Sequence, residues 1–228
     1  KFLVTFPESS HVNEVKELLA QAYVNGNNFH KAIEYIESLP SRSAHIDQAY
    51  QKATFLQGAE LFNKEDYQHA VSFFEKSLRY PQDRNYVALA AFWAGEAYSI
   101  GRKYDEALKH YQKALSTSVP DAALMAKIYY GLGYAQYNMQ AYDQALNNFR
   151  SFVSRTDKSN PNQADAMIRL ADCYYVSKQY AQGLEFYNKA RQAGSPDEDY
   201  ILLQSGIIYG IQRNYEQERN LLSTLIRN

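Results

Sequence analysis

Residues 132–149 read LGYAQYNMQAYDQALNNF, and this stretch decides the fold. It holds a small residue, Gly133, and nine residues later an aromatic, Tyr142. Ala145 follows three residues on, and the large apolar Phe149 four residues after that. Working outward, the same phrase recurs along the whole chain. The aromatic and second small residue pair as Phe29/Ala32, Tyr67/Ala70, Tyr104/Ala107 and Tyr180/Gly183, while Tyr215/Glu218 keeps only the aromatic. The preceding small residues are Ala20, Gly58, Gly95, Ala171 and Gly206, and the following large ones are Ile36, Phe74, Tyr111, Tyr187 and Leu222. By subtraction, successive aromatics are 38, 37, 38, 38 and 35 residues apart. Columns phased over six copies identify an internal repeat of the size used by helical arrays.

The spacing predicts an all-α chain of six helix hairpins. The first small residue and the aromatic fall on consecutive helices, and small side chains let those helices approach closely. The large apolar column is expected to fill the space between neighbouring hairpins, since one hairpin cannot cover its own apolar face. Proline falls between hairpins at Pro40, Pro81, Pro120, Pro161 and Pro196, where a missing N–H breaks no helical ladder. Ser195-Pro196-Asp197-Glu198 reads as N-cap, first-turn proline and capping-box glutamate, and Asn160-Pro161 as a second cap-then-proline pair.

Leu132, Gly133, Tyr142 and Ala145, with Gly95, Tyr98, Tyr104, Ala107 and Ala114, resemble the Leu-Gly, Tyr and Ala columns of the tetratricopeptide repeat (TPR). The resemblance implies a right-handed superhelical solenoid of about six helix-turn-helix pairs with a concave groove lined by first helices. The repeats are read at 13–46, 51–84, 88–121, 126–159, 164–197 and 199–228, in one array over 1–228. The period exceeds the usual 34 residues, the opening tryptophan column is absent, and Trp93 falls elsewhere in its helix. Gln136 stands where the fourth copy's aromatic is expected, beside Tyr137. The Phe6-Pro7-Glu8-Ser9 step resembles bacterial envelope proteins of this family, which points to the periplasm or the outer membrane. Lys1–Phe6 reads as the tail of an earlier second helix, with a disordered or strand-like terminus as the alternative. The start at Lys1 suggests a piece of a longer precursor. Glu218 in the small column suits a capping repeat or a degenerate internal one.

Composition narrows the function. Lys and Arg number 24 against 25 Asp and Glu, a net charge of -1, which disfavours a general nucleic-acid binder. No apolar run is long enough to span a membrane. A single cysteine, Cys173, excludes an intramolecular disulfide and reads as buried and inert, lacking an electropositive setting. Nucleophile elbows, phosphate loops and zinc-helix motifs are missing. His11, His30, His45, His69 and His110 sit in different columns, so no shared metal site is expected. Asp165 and Asp172 lie seven apart on one helical face and read as a solvated or groove-facing pair without a catalytic role. The expectation is no enzyme, no cofactor and no metal.

If the family geometry holds, the groove is lined three residues before the first small column, one after it, and four or five after it. That selects Glu17 and Gln21; Phe55, Ala59 and Phe62; Phe92, Glu96 and Ser99; Tyr130, Tyr134, Tyr137 and Asn138; and Ile168, Asp172, Tyr175 and Val176. Asp165 and a lone Lys127 lie beside them. The expected partner-binding set is Phe55, Phe62, Phe92, Glu96, Lys127, Tyr130, Tyr134, Tyr137, Asp172 and Tyr175. Tyrosine suits such a face because it offers a large apolar ring and a hydroxyl at low entropic cost. The ligand is expected to be a protein or peptide segment with basic side chains. The Lys, Asn and Arg pattern of a family carboxylate clamp is not matched at these sites. The reading is therefore a protein-protein interaction scaffold. The alternative is a spacer or homo-oligomerisation arm of a larger bacterial envelope protein with no groove ligand.

Overall fold

The computed structural model describes residues 2–117 and 121–227; Lys1 and Pro120 lie outside that description. The described residues form thirteen helices in two compact units, residues 1–120 and 121–228. Unit one opens with α1 (Phe2–Thr5) and continues with three hairpins: α2 (Val12–Asn25) with α3 (Phe29–Glu37), α4 (Ala44–Asn63) with α5 (Tyr67–Leu78), and α6 (Arg84–Ile100) with α7 (Tyr104–Ser116). Unit two holds α8 (Ala122–Asn138) with α9 (Tyr142–Val153), α10 (Gln163–Val176) with α11 (Tyr180–Gln192), and α12 (Glu198–Ile211) with α13 (Tyr215–Arg227). No strand occurs among the described residues, and none of their helices is long and apolar enough to cross a membrane.

The column aromatic is the first residue of every second helix. Ahead of it, each hairpin turn closes in the same way. Asn27, Glu65, Arg102, Gln140, Lys178 and Arg213 all adopt left-handed backbone, with φ between 56° and 62°. The residue after each donates its N–H five residues back, as in Asp66 to Leu61 at 3.0 Å and Gln179 to Tyr174 at 2.8 Å. This is a Schellman closure, which ties up carbonyls that a helix end leaves open. Glycine is the usual residue at the left-handed position, and none of the six is glycine.

The small and large columns meet inside each hairpin. A Cβ built on Gly58, Gly95 or Gly133 would lie 2.8 Å from the ring of Phe74, Tyr111 or Phe149, closer than van der Waals contact permits. The large column therefore does not pack only between hairpins, as the spacing had suggested. Each ring lies flat over the glycine of its own hairpin, because only there does the missing Cβ leave room. Phe74 then also joins Ala90 and Ala94 of the next hairpin in one core cluster. Two caps differ from expectation as well. At α12 the cap position belongs to Asp197; Ser195 Oγ accepts the Asp197 N–H, and Glu198 accepts from Arg191 Nε at 2.7 Å. At α10 the helix starts at Gln163, because Asn160 Oδ1 closes a turn onto the Asn162 N–H first.

Candidate functional site

In unit two, the first helices α8, α10 and α12 converge on two carboxylates. Asp165, Arg169 and Asp172 follow one another at four- and three-residue steps on α10, so they share a face. Asp165 Oδ2 accepts from the hydroxyls of Tyr130 (2.7 Å) and Tyr134. Arg169 Nε lies 3.5 Å from the other Asp165 oxygen. Asp172, only 4% exposed, is the hub. Its Oδ2 accepts from Arg169 Nη1 at 2.7 Å and Tyr137 at 3.1 Å; its Oδ1 accepts from Tyr187 at 2.6 Å and Tyr200 at 2.9 Å. Those donors come from α8, α10, α11 and α12, so one carboxylate joins all three hairpins of the unit. The Arg169 guanidinium lies 5.7 Å from the ring centroids of both Tyr137 and Tyr200, within cation–π range.

The electrostatics fix the protonation of this network. Burial, then the Asp165 hydrogen bond and charge, pushes the Tyr134 phenol up to about 12. Burial and the Asp172 charge likewise push Tyr137 up to about 12. Tyr130, Tyr187 and Tyr200 are raised too, burial first in each case. Burial opposes the Arg169 charge, but Asp172 and Asp165 outweigh it and its pKa rises. At neutral pH the five phenols are donors around two carboxylates and one guanidinium. A buried carboxylate is tolerable only when so satisfied. Of the pair expected to be solvated or groove-facing, Asp172 is buried and Asp165 half-buried; their neighbours on the adjoining hairpins supply the donors.

Tyr200 begins a second feature. Tyr200, Leu203, Ile207 and Ile211 are spaced three, four and four residues apart and lie on one stripe of α12. Leu203, Ile207 and Ile211 are 41%, 38% and 47% exposed. The opposite face of α12 carries buried Ile201, Leu202 and Ile208, so the helix is apolar on both sides. Burial of the inner face accounts for the fold, and the outer stripe is left over. Because Tyr200 belongs to both, the stripe runs directly from the Asp172 network.

The ten expected binding residues divide between the units. Phe55 and Phe92 are buried, packing on Phe74 and Tyr111 at ring distances of 5.9 and 6.2 Å. Phe62 is half-buried between Tyr67 and Trp93, and Glu96 accepts from the Tyr111 hydroxyl. In unit two Lys127 is exposed, and Tyr175 is half-buried beside Tyr180. Tyr130, Tyr134, Tyr137 and Asp172 come together as described. Reading the columns missed Arg169, Tyr187, Tyr200 and the α12 stripe. The stripe was accessible to the same rule, since Leu203, Ile207 and Ile211 stand three before, one after and five after Gly206; the rule had been carried only to the fifth copy. Cys173 is buried, and burial pushes its thiol up to about 12. A thiolate is accordingly disfavoured there.

Residues 130–198 match the family model described as tetratricopeptide repeat. Among solved structures, the chain is similar to YrrB, described as a TPR protein with an unusual peptide-binding site, at 20% identity and a TM-score of 0.66 over 87% of this chain and 91% of that one. It is similar to MamA at 17% identity and a TM-score of 0.67, over 78% and 91% of the two chains. It is also similar to PilF of Pseudomonas aeruginosa at 18% identity and a TM-score of 0.61, over 94% and 90%. Among curated sequences it is similar to human DnaJ homolog subfamily C member 7, at 24% identity over 74% of this chain and 35% of the relative. A Dictyostelium discoideum homologue of that protein matches at 23% identity over 80% and 36%. The chain therefore spans about a third of the length of these curated relatives. The fold is that of the TPR proteins, and residues 130–198 carry that family's repeat.

Proposed function

We propose that this TPR chain is a protein-protein interaction module, and that unit two holds a segment of another protein against the face formed by α8, α10 and α12. The observation that carries the reading is the exposed α12 stripe. Three large aliphatic side chains in one row, continuous with a satisfied polar network, are not needed by the core and gain by being covered. The network supplies rigidity: hydrogen bonds from α8, α11 and α12 fix Asp172 and so hold the face in one arrangement before anything binds. The segment places apolar side chains on Leu203, Ile207 and Ile211. Beside them, Tyr130 and Tyr134 present the accessible parts of their rings. Asp165, whose Oδ1 has only Arg169 Nε at 3.5 Å, lies beside them and favours a cationic group on the segment. The likeness in fold to YrrB, a TPR protein described as having a peptide-binding site, supports the same reading.

The test is a Leu203→Ser, Ile207→Ser double variant, chosen because both side chains are exposed and the fold should survive their loss. Proteins captured from an extract of the source cells by the unaltered chain are expected to be lost by the variant, at unchanged helicity. Undiminished capture of the same proteins would overturn the assignment. Sedimentation velocity separates the alternative, since an oligomerisation arm would give a concentration-dependent dimer that the variant converts to monomer.

A further inference from the structure

Unit one carries a separate cleft of about 550 Å³ between α5 and α6, a volume within the range of ligand sites. Its apolar lining includes Tyr67, Val71 and Ala97, and Glu75 and Tyr98 supply the polar groups. Glu75 Oε1 accepts the Tyr98 hydroxyl at 2.6 Å. Burial, then the Glu75 hydrogen bond and charge, raises the Tyr98 phenol, so it remains a donor and Glu75 the acceptor. No lysine, arginine or histidine among the described residues lies within ion-pair distance of Glu75. Lys76, its neighbour in sequence, pairs instead with Glu37 at 3.0 Å. Lys103 stands at the rim of the cleft.

The same place recurs in unit two with different chemistry. Counting from the column aromatics, Glu75 and Tyr98 correspond to Arg150 and Tyr174 at the α9–α10 junction, and to Asn188 and Tyr209 at the α11–α12 junction. Arg150 Nη2 donates to the Tyr174 hydroxyl at 2.7 Å, the reverse of the Glu75 arrangement. The tyrosine is kept at these three junctions while the residue at the place of Glu75 is an acid, a base or an amide. Hairpin stacking therefore does not require a carboxylate at residue 75, and one that has a phenol but no ion pair in a half-apolar cleft calls for another explanation.

We propose that this cleft receives a lysine side chain from a partner protein, its aliphatic stem along Val71 and Ala97 and its ammonium on Glu75. Lysine fits better than arginine because Tyr98 already occupies Oε1. One oxygen remains, which suits a point charge, whereas a guanidinium gains most from binding both oxygens. The tyrosine rings beside the carboxylate add a favourable surface for a cation. This surface is independent of the α12 stripe, so either assignment stands or falls alone.

The experiment titrates the isotopically labelled 228-residue chain with acetyl-Gly-Lys-Gly-amide, and with tripeptides carrying norleucine or arginine in place of lysine. The lysine peptide is expected to shift the amide signals of Gln68, Ser72 and Gly101 with millimolar saturation. Norleucine, which keeps the stem and lacks the charge, is expected to bind about ten-fold more weakly, the worth of one charged hydrogen bond. Glu75→Gln should bring lysine down to the norleucine level. Lys103→Ala, an exposed change that leaves the cleft intact, should tighten lysine binding by removing a competing cation. Equal binding of norleucine or arginine, no saturable shift at these amides, or undiminished lysine binding by a folded Glu75→Gln variant would each overturn the proposal.

Discussion

The first-helix faces of the two units are built on the same columns and furnished differently. In unit one, the residues three before the small column are Glu17, Phe55 and Phe92, and both aromatic rings are buried. Around a cavity of about 360 Å³ the accessible residues are mainly polar, Gln21, Asn25, His45, Gln48, Lys52, Asp83 and Tyr86, although Leu18 and Ile100 are also exposed on these first helices. In unit two the corresponding residues are Tyr130, Ile168 and Leu203; Ile168 is buried, while Tyr130 is half-buried and Leu203 exposed. A column therefore locates a residue on the helix without deciding its exposure. Exposure depends on whether the neighbouring hairpin brings something to cover it. Phe92 is covered because Tyr111 and Trp93 lie against it, whereas nothing among the described residues covers Leu203.

The largest test of this contrast removes each unit's principal carboxylate. Asp172→Ala should cost about 3–5 kcal/mol, because it leaves a half-buried guanidinium with only its longer contact to Asp165 and takes the acceptor from three phenols. Glu96→Ala in unit one, which leaves the Tyr111 hydroxyl without its carboxylate, should cost about 1–3 kcal/mol. Chemical denaturation followed by circular dichroism reads both, and equal losses would mean that Asp172 is not the hub the geometry makes it.

A smaller effect separates the glycines. Gly133→Ala brings a methyl to 2.8 Å from the Phe149 ring and should cost about 1–3 kcal/mol. At Gly183 a Cβ meets nothing closer than 3.5 Å. Alanine there should be neutral or stabilise the helix by up to about 1 kcal/mol. Melting temperatures of the two variants should move in different directions, and a shared loss would break the packing account.

The smallest effect expected is a slope in alkali. A phenol with a folded pKa above its unfolded value contributes stability fully below the unfolded value, near 10. That contribution is lost as pH rises through the folded value, about 12 for Tyr134 and Tyr137. Stability should decline across that window, and Tyr134→Phe should flatten the decline. An unchanged slope in that variant would remove Tyr134 from the network.

The helices were legible because glycine, alanine and the large rings must recur wherever two helices touch, and a recurring requirement leaves a period. The face on unit two was legible in part. Tyr130, Tyr134, Tyr137 and Asp172 stand at lining columns, Tyr187 stands in the large core column and Arg169 at none, and both are drawn in by contacts to a carboxylate that no spacing announces. Phe55 and Phe92 were placed in the groove because an aromatic in a lining column looks the same on paper whether its ring turns outward or into the core. The caps at Asp197 and Asn162 were misread for a local reason. Ser195 and Asn160 close turns of their own first, and the helix waits for the next residues.

The six left-handed turn residues carry a consequence for engineering. Asn27, Glu65, Arg102, Gln140, Lys178 and Arg213 each hold a side chain where an L-residue is strained by roughly 1–2 kcal/mol. Glycine would relieve that strain and return part of the gain as greater freedom in the unfolded chain. Because the six sites lie in separate turns, their increments should add. The molecule thus contains a built-in thermostability series, adjustable one joint at a time, at positions that none of the binding surfaces uses.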